Sequence, residues 1–153
     1  MTVDIRLDDL TDPRVAAFLE EHIRDMRAVS PPESKHALDL AGLRQPDIRF
    51  WSAWDGTTLV GCVALKLLDE RHGELKSMRT ATGVRRTGVG ALLLAHAMAH
   101  ARVLGLHRLS LETGSMPFFA PARALYAAHG FVPSEPFGNY HADPNSVFMT
   151  RSL

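Results

Sequence analysis

Six residues, Arg85-Arg86-Thr87-Gly88-Val89-Gly90, have the composition of an anion cradle. A strand-like run from Glu74 to Thr80 precedes them, and an Ala/Leu-rich helical pattern follows as far as Leu104, where Gly105 stops it. A glycine-rich turn that opens a helix presents main-chain N–H groups with no intrahelical acceptor, at the positive end of the helix dipole. Phosphate or pyrophosphate is the ligand that suits such a turn. Gly88 and Gly90 carry no Cβ, so a ligand can come close to the backbone. Lys76, Arg79, Arg85 and Arg86 are spread through this segment, and no acid occurs between Leu75 and Gly90. The spacing is not that of the P-loop, Gly-x-x-x-x-Gly-Lys-Ser/Thr, nor of the dinucleotide fingerprint, Gly-x-Gly-x-x-Gly.

A second motif lies downstream. Leu109 to Thr113 alternates like a strand, and Pro121-Ala122-Arg123-Ala124-Leu125-Tyr126-Ala127-Ala128-His129-Gly130-Phe131 follows it. The first motif resembles the Gln/Arg-x-x-Gly-x-Gly/Ala signature of the GNAT N-acetyltransferases. The second resembles their Ala-x-x-Leu-Tyr-x-x-x-Gly-Phe helix. The resemblance spans Ile48 to Phe131, and the segments Gly114–Pro117 and Asp143–Met149 are similar to a bacterial single-domain subgroup whose substrates are mostly unassigned. It implies acetyl-CoA as cosubstrate, without a metal, and a small-molecule or amino-acid-like amine as acceptor. The nearest rivals are a protein N-terminal or lysine acetyltransferase and a CoA-binding module without turnover.

Carried over by position, the resemblance implies that pantetheine amides pair with the Glu74–Thr80 strand as an added strand would. Met78 and Thr80 are then the backbone contacts, Arg79 lies between them, and an N–H near Met78 faces the developing oxyanion. The pyrophosphate falls to Arg85, Arg86, Thr87, Gly88, Val89, Gly90 and Ala91, with the two arginines adding charge-assisted bonds. Tyr126 faces the sulfur. A phenol near 10 facing a thiolate near 8.5 transfers its proton uphill by about 2 kcal/mol, so a hydrogen bond serves as well as full transfer. An amine with pKa near 10 needs a base. Glu74, eleven positions before Arg85, and Glu112, on the next strand, are the two candidates. The third alternative is no single essential base, with each carboxylate a strand-edge group that is solvated or paired with Arg79 or Arg108. Two positions depart from the pattern: Phe119 stands where an Asn that contacts pantetheine is common, and Thr82 where Pro is frequent.

The positioning elements follow from periodicity. Val3–Leu7 alternates as a strand, and Asp12-Pro13 caps a helix whose apolar stripe is Val15, Phe18, Leu19, Ile23 and Met26. Ser30-Pro31-Pro32-Glu33 has capping-box spacing and opens a second helix through Leu43. Two strands, Ile48–Trp54 and Thr58–Leu68, flank the hairpin signal Asp55-Gly56, and a third runs from Glu74 after a turn at Arg71-His72-Gly73. The long helix, the Leu109 strand, a helix over Pro121–His129 and a last strand at Val147–Thr150 complete the order β-α-α-β-β-β-α-β-α-β. That order is α+β: a mixed, mainly antiparallel sheet with helices on both faces, in a single domain over residues 1–153.

Composition narrows the partners. The 17 basic and 17 acidic residues cancel, which gives no global field for nucleic acid or an anionic membrane. No apolar run approaches a membrane span, no signal-peptide core stands at the N-terminus, and one cysteine allows no intrachain disulfide, so a cytoplasmic protein is expected. Relatives often dimerise, which leaves a homodimer open. His96 and His100 have the i, i+4 spacing of zinc ligands but lack a third partner, so they read as a helix face. Cys62 reads as core and His129 as a complement to a helix dipole. Trp51 and Trp54 fall on opposite faces of their strand, with at least one in the core.

Overall fold

A computed structural model describes residues 1–29, 39–84 and 87–153. Seven strands, β1 (Asp4–Leu7), β2 (Ile48–Asp55), β3 (Thr58–Leu67), β4 (His72–Thr80), β5 (Arg108–Gly114), β6 (Val132–Pro133) and β7 (Ser146–Ser152), form one sheet in the order β1-β2-β3-β4-β5-β7-β6. Among the described residues only the β4–β5 pair is parallel. The helices are α1 (Pro13–Val29), α2 (Leu40–Leu43), α3 (Val89–Val103) and α4 (Ala120–Ala128). The architecture is the expected α+β one, with an apolar cluster on each face of the sheet. One gathers Leu93, Leu94, Ala97 and Ala101 of α3 and Tyr126 of α4 over Trp51, Val63, Leu65 and Leu111. The other gathers Val15 and Leu19 of α1 and Leu43 of α2 over Phe50, Trp54 and Cys62. Both tryptophans are therefore core, one on each face. Among the described residues no helix is long and apolar enough to cross a membrane.

Local signals account for most boundaries. The Asp12 carboxylate accepts from the Arg14 N–H at 2.8 Å and starts α1. Gly56 takes φ +60° in the β2–β3 turn. One expected boundary is corrected, one lies partly outside the described residues, and one strand was not expected. His72 and Gly73 belong to β4 rather than to a turn, because the Asp69 carboxylate accepts the Arg71 and His72 N–H groups at 2.7 and 2.8 Å and closes the turn earlier. The second helix is described only at Leu40–Leu43, with Asp39 accepting from the Gly42 N–H at 2.9 Å, while Ser30 to Leu38 lie outside the described residues. β6, a two-residue strand containing Pro133, pairs with β7 and gave no periodic signal.

Two irregularities in β4 build the site. Cys62 pairs with Arg79 but Ala64 pairs with Lys76, so β4 carries one extra residue opposite β3. Ser77 sits in the bulge at φ +52°, and its carbonyl accepts the Cys62 thiol at 3.1 Å. The extra residue re-phases the strand: Glu74, Lys76 and Arg79 fall on the α1 face, although strict alternation would put Arg79 on the other one. Secondly, β4 and β5 pair only from His72–Arg108 to Leu75–Leu111. Beyond that point β4 continues to Thr80 and β5 to Gly114 without bonding each other, so the middle of the sheet opens into a splay.

Candidate active site

The splay is the mouth of a cavity that passes from one face of the sheet to the other. His22 and Met26 of α1 and Tyr140 of the β6–β7 loop wall one side. Phe119, Ala122 and Tyr126 of α4 and the turn before it wall the opposite side, and the β4 segment Glu74–Met78 and the β5 segment Glu112–Gly114 lie between. Both expected carboxylates and the expected phenol thus meet in one place. Alternation is what exposes them: Leu75 and Leu111 point into the α3-side core, which turns Glu74 and Glu112 away from it.

The two carboxylates have different surroundings. Glu74 is buried and already satisfied. It accepts the Tyr140 hydroxyl at 2.5 Å and the Lys76 ammonium at 3.2 Å, and Lys76 also donates to the Tyr140 oxygen at 2.9 Å. The alternative that paired it with Arg79 or Arg108, or solvated it, is corrected. Arg108 donates to the Thr150 and Ser152 hydroxyls, and Arg79 to α1 carboxylates. Among the described residues Glu112 carries no such clamp. Burial pushes its carboxyl up to about 7, with the charges of Glu74 and Asp143 adding to the rise, while the Ser146 hydroxyl and Lys76 pull it part of the way back. A carboxyl at about 7 exchanges its proton readily at neutral pH.

Tyr126 is buried, its ring edge-on to Phe131 at 5.9 Å. Burial, with the Glu112 charge behind it, pushes the phenol above its ordinary value. It stays a neutral hydrogen-bond donor. Phe119 covers Gly114 so closely that a Cβ at Gly114 would collide with the ring. Arg123 locks this turn by donating to the Gly114 and Met116 carbonyls at 2.5 and 3.0 Å. The wall where an Asn was usual is therefore aromatic and fixed.

At the anion turn, Gly88 adopts φ +91° as the N-cap of α3, with open space where its Cβ would be and no side-chain cap among the described residues. Thr87 donates its hydroxyl to the Val84 carbonyl, Val89 sends its side chain into the core, and Ala91 completes the first turn. Gly90 has closer neighbours than Gly88. A Cβ there would stand 3.2 Å from Leu125, with Thr80 and Met78 next nearest, so Gly90 lets α3 pack closely on α4 and β4. Arg85 and Arg86 lie outside the described residues. The Arg79 guanidinium is engaged with Glu21 and Asp25, and its main chain pairs with Cys62 of β3.

Sequence reasoning missed Lys76 as a partner of Glu74, the loop residue Tyr140, and the cavity-facing pair His22 and Met26. Same-face spacing on β4 could have found Lys76. Nothing periodic marks Tyr140, and Met26 read as part of the α1 core stripe. His96 and His100 pack edge-on to Trp51 at 5.2 and 4.9 Å, and no group of three or more metal-ligating side chains occurs among the described residues. Burial pushes the Cys62 thiol up to about 12, consistent with a core residue. His129 bonds the Leu125 carbonyl through Nδ1 at 2.9 Å, at the C-terminus of α4.

The sequence and the fold match known proteins. The family model described as Acetyltransferase (GNAT) family matches residues 15–131. The chain is 55% identical over 149 residues to YsnE, an uncharacterized N-acetyltransferase of Bacillus subtilis, covering 97% of this chain and 99% of that one. A GNAT-family acetyltransferase of Staphylococcus aureus superposes with a TM-score of 0.78 at 20% identity, covering 99% of each chain. A GNAT-family acetyltransferase of Elizabethkingia anophelis, solved with acetyl-CoA bound, superposes with a TM-score of 0.67 at 16% identity, covering 99% of this chain and 98% of that one.

Proposed function

The chain belongs to the GNAT acetyltransferase family and is an acyltransferase, and on that premise we propose that it moves the acetyl group of acetyl-CoA to the primary amine of a small, amino-acid-like acceptor, with Glu112 as base and Tyr126 as thiolate partner. The observation that carries this reading is the convergence of Glu112, held at about 7, and the neutral phenol of Tyr126 at the splay between β4 and β5. The residues present suit the cosubstrate. The stretch of β4 around Met78 and Thr80, open on its β5 side, offers main-chain groups for pantetheine, and the Cβ-free start of α3 at Gly88, with no side-chain cap among the described residues, offers them for the pyrophosphate.

When bound, acetyl-CoA supplies an activated thioester. Glu112 takes a proton from the acceptor amine, directly or through one water, leaving the nitrogen lone pair free to attack the acyl carbon. The main-chain N–H at Met78 donates to the acyl oxygen as it gains charge. Tyr126 donates a hydrogen bond to the sulfur as the C–S bond breaks, and the thiolate takes up, directly or through water, the second proton that the nitrogen loses on becoming an amide. With the phenol raised further above a thiol, full proton transfer is more uphill than the free groups imply, so the hydrogen bond is its contribution. Lys76, Glu74 and Tyr140 hold the floor of the cleft. Because Tyr140 bonds across to Glu74, the acceptor side is narrow, which favours a small molecule over a protein segment.

Thiol release from acetyl-CoA across a panel of small amines, amino acids and short peptides, with products identified by mass, tests the reading. Acetylation of one or more small amines is expected. Turnover only with peptides, or none with any amine while acetyl-CoA binds, would overturn it.

A further inference from the structure

Arg79 has a place in this molecule that the reaction does not explain. It is an arginine with 5% of its side chain exposed, in a strand of the sheet centre, and among the described residues it bonds no group of the cavity. Its guanidinium donates to Glu21 at 3.0 Å and to Asp25 at 2.9 Å and stacks over the Phe18 ring at 5.2 Å, so all three partners lie on α1. Burying a guanidinium is costly unless it is paired, and here both partners are themselves about half exposed. A pair held this way is a poor source of stability. It is a good source of geometry, because planar donors in a fixed fork accept few orientations.

The geometry it fixes is the rotation of α1. Glu21 and Asp25 form one i, i+4 row on that helix, and His22 and Met26 form the adjacent row, about 100° around the axis. The first row grips Arg79 while the second walls the cavity. Arg79 reaches α1 only because the extra residue at the Ser77 bulge re-phases β4, and that bulge borders Met78, the backbone contact proposed for the thioester. One irregularity thus sets the cosubstrate side and, through Arg79, the acceptor side.

We infer that Arg79 is a positioning residue: by gripping Glu21 and Asp25 it holds α1 at the rotation that places His22 and Met26 against the acceptor. This rests on the acetyltransferase reading of the cavity.

Arg79→Ala would leave a hole in the centre of the sheet, so the decisive variant is Glu21→Gln/Asp25→Asn, which releases the grip from the half-exposed side. Its acetyl-CoA affinity by calorimetry should stay within about twofold and its kcat within about threefold. Its KM for the best amine of the panel should rise about fivefold or more. His22 gives a readout that needs no turnover. Burial and the Arg79 charge hold its imidazole at about 4, and the Asp25 charge raises it. Neutralising Asp25 alone would therefore lower the His22 pKa further, whereas release of α1 into solvent would raise it toward 6.5. A rise in the NMR titration of His22 is expected. An unchanged KM together with an unchanged or lowered His22 pKa would overturn the inference, as would a loss of acetyl-CoA affinity in place of the KM effect. Failure of the wild-type protein to acetylate any amine would instead overturn the functional reading, and the His22 titration would still decide the role of Arg79.

Discussion

Replacing Glu112 with Gln removes the proposed base while keeping its size. With a carboxyl at about 7, Glu112 is about one-tenth ionised at pH 6, half at pH 7 and nine-tenths at pH 8. At saturating acetyl-CoA and amine, kcat of the wild type should climb about tenfold between pH 6 and 8 and then level off. Glu112→Gln should lower kcat at pH 7 by about a hundred- to ten-thousandfold, the usual worth of a general base, and abolish that inflection. Its residual rate should rise steadily toward the amine pKa, because solvent then sets the supply of free amine. Neighbouring charges give the argument a sign. Glu74 raises the Glu112 pKa and Lys76 lowers it, so Glu74→Gln should move the inflection to lower pH and Lys76→Met to higher pH. Stopped assays of thiol release at fixed ionic strength, with each variant's fold verified by circular dichroism, measure all of this. A Gln variant that keeps an inflection near 7 and most of its kcat would refute the assignment, because the titrating group would then be elsewhere.

Tyr126→Phe keeps the packing on Phe131 and removes only the hydroxyl, so kcat should fall about ten- to hundredfold with little change in acetyl-CoA affinity or melting temperature; an undiminished kcat, with chemistry shown to be rate-limiting, would reduce Tyr126 to a packing residue. Gly88→Val should weaken CoA binding and, because φ is +91° there, also cost about 1–2 kcal/mol of stability, whereas Gly88→Asn should keep the fold and show the binding loss alone; calorimetry with an unchanged Kd in either would disprove the cradle. Stability should respond to pH through two opposed groups. Glu112 holds its proton more tightly folded than unfolded, so its contribution is lost as pH rises from 4.5 to about 7, while His22, at about 4 against 6.5, loses its contribution as pH falls through that range. Glu112→Gln should therefore raise stability at pH 8 by up to about 3 kcal/mol and add nothing at pH 4.5; equal gains at both would contradict the burial of Glu112.

Periodicity and turn chemistry carried most of the scaffold into view. The Asp12 cap, the Asp55-Gly56 hairpin, the Gly88 start and Gly105 stop of α3 and the Tyr126 helix are local signals, and local signals survive folding. Glu74, Glu112 and Tyr126 stood out because their residue types and motif positions agreed. What escaped depends on contacts distant in sequence. The different surroundings of the two carboxylates depend on Tyr140, 66 residues from Glu74, and no pattern announces such a pairing. The partners of Arg79 were not legible because alternation along β4 breaks at Ser77, and a bulge without a glycine leaves no mark in the sequence. Met26 shows the limit of an apolar stripe, which marks a face but not whether protein or ligand will cover it.

The open stretch of β4 also bears on how the reaction ends. If main-chain groups there hold the carrier arm, they hold amides that are the same before and after the acetyl group has left. A strand edge of this kind cannot distinguish a charged carrier from a discharged one; only the few atoms near Tyr126 and Met78 register the difference. Spent carrier would then compete for the cleft almost on equal terms with fresh carrier. The working rate would follow the ratio of the two in the surroundings, more than the absolute supply of either.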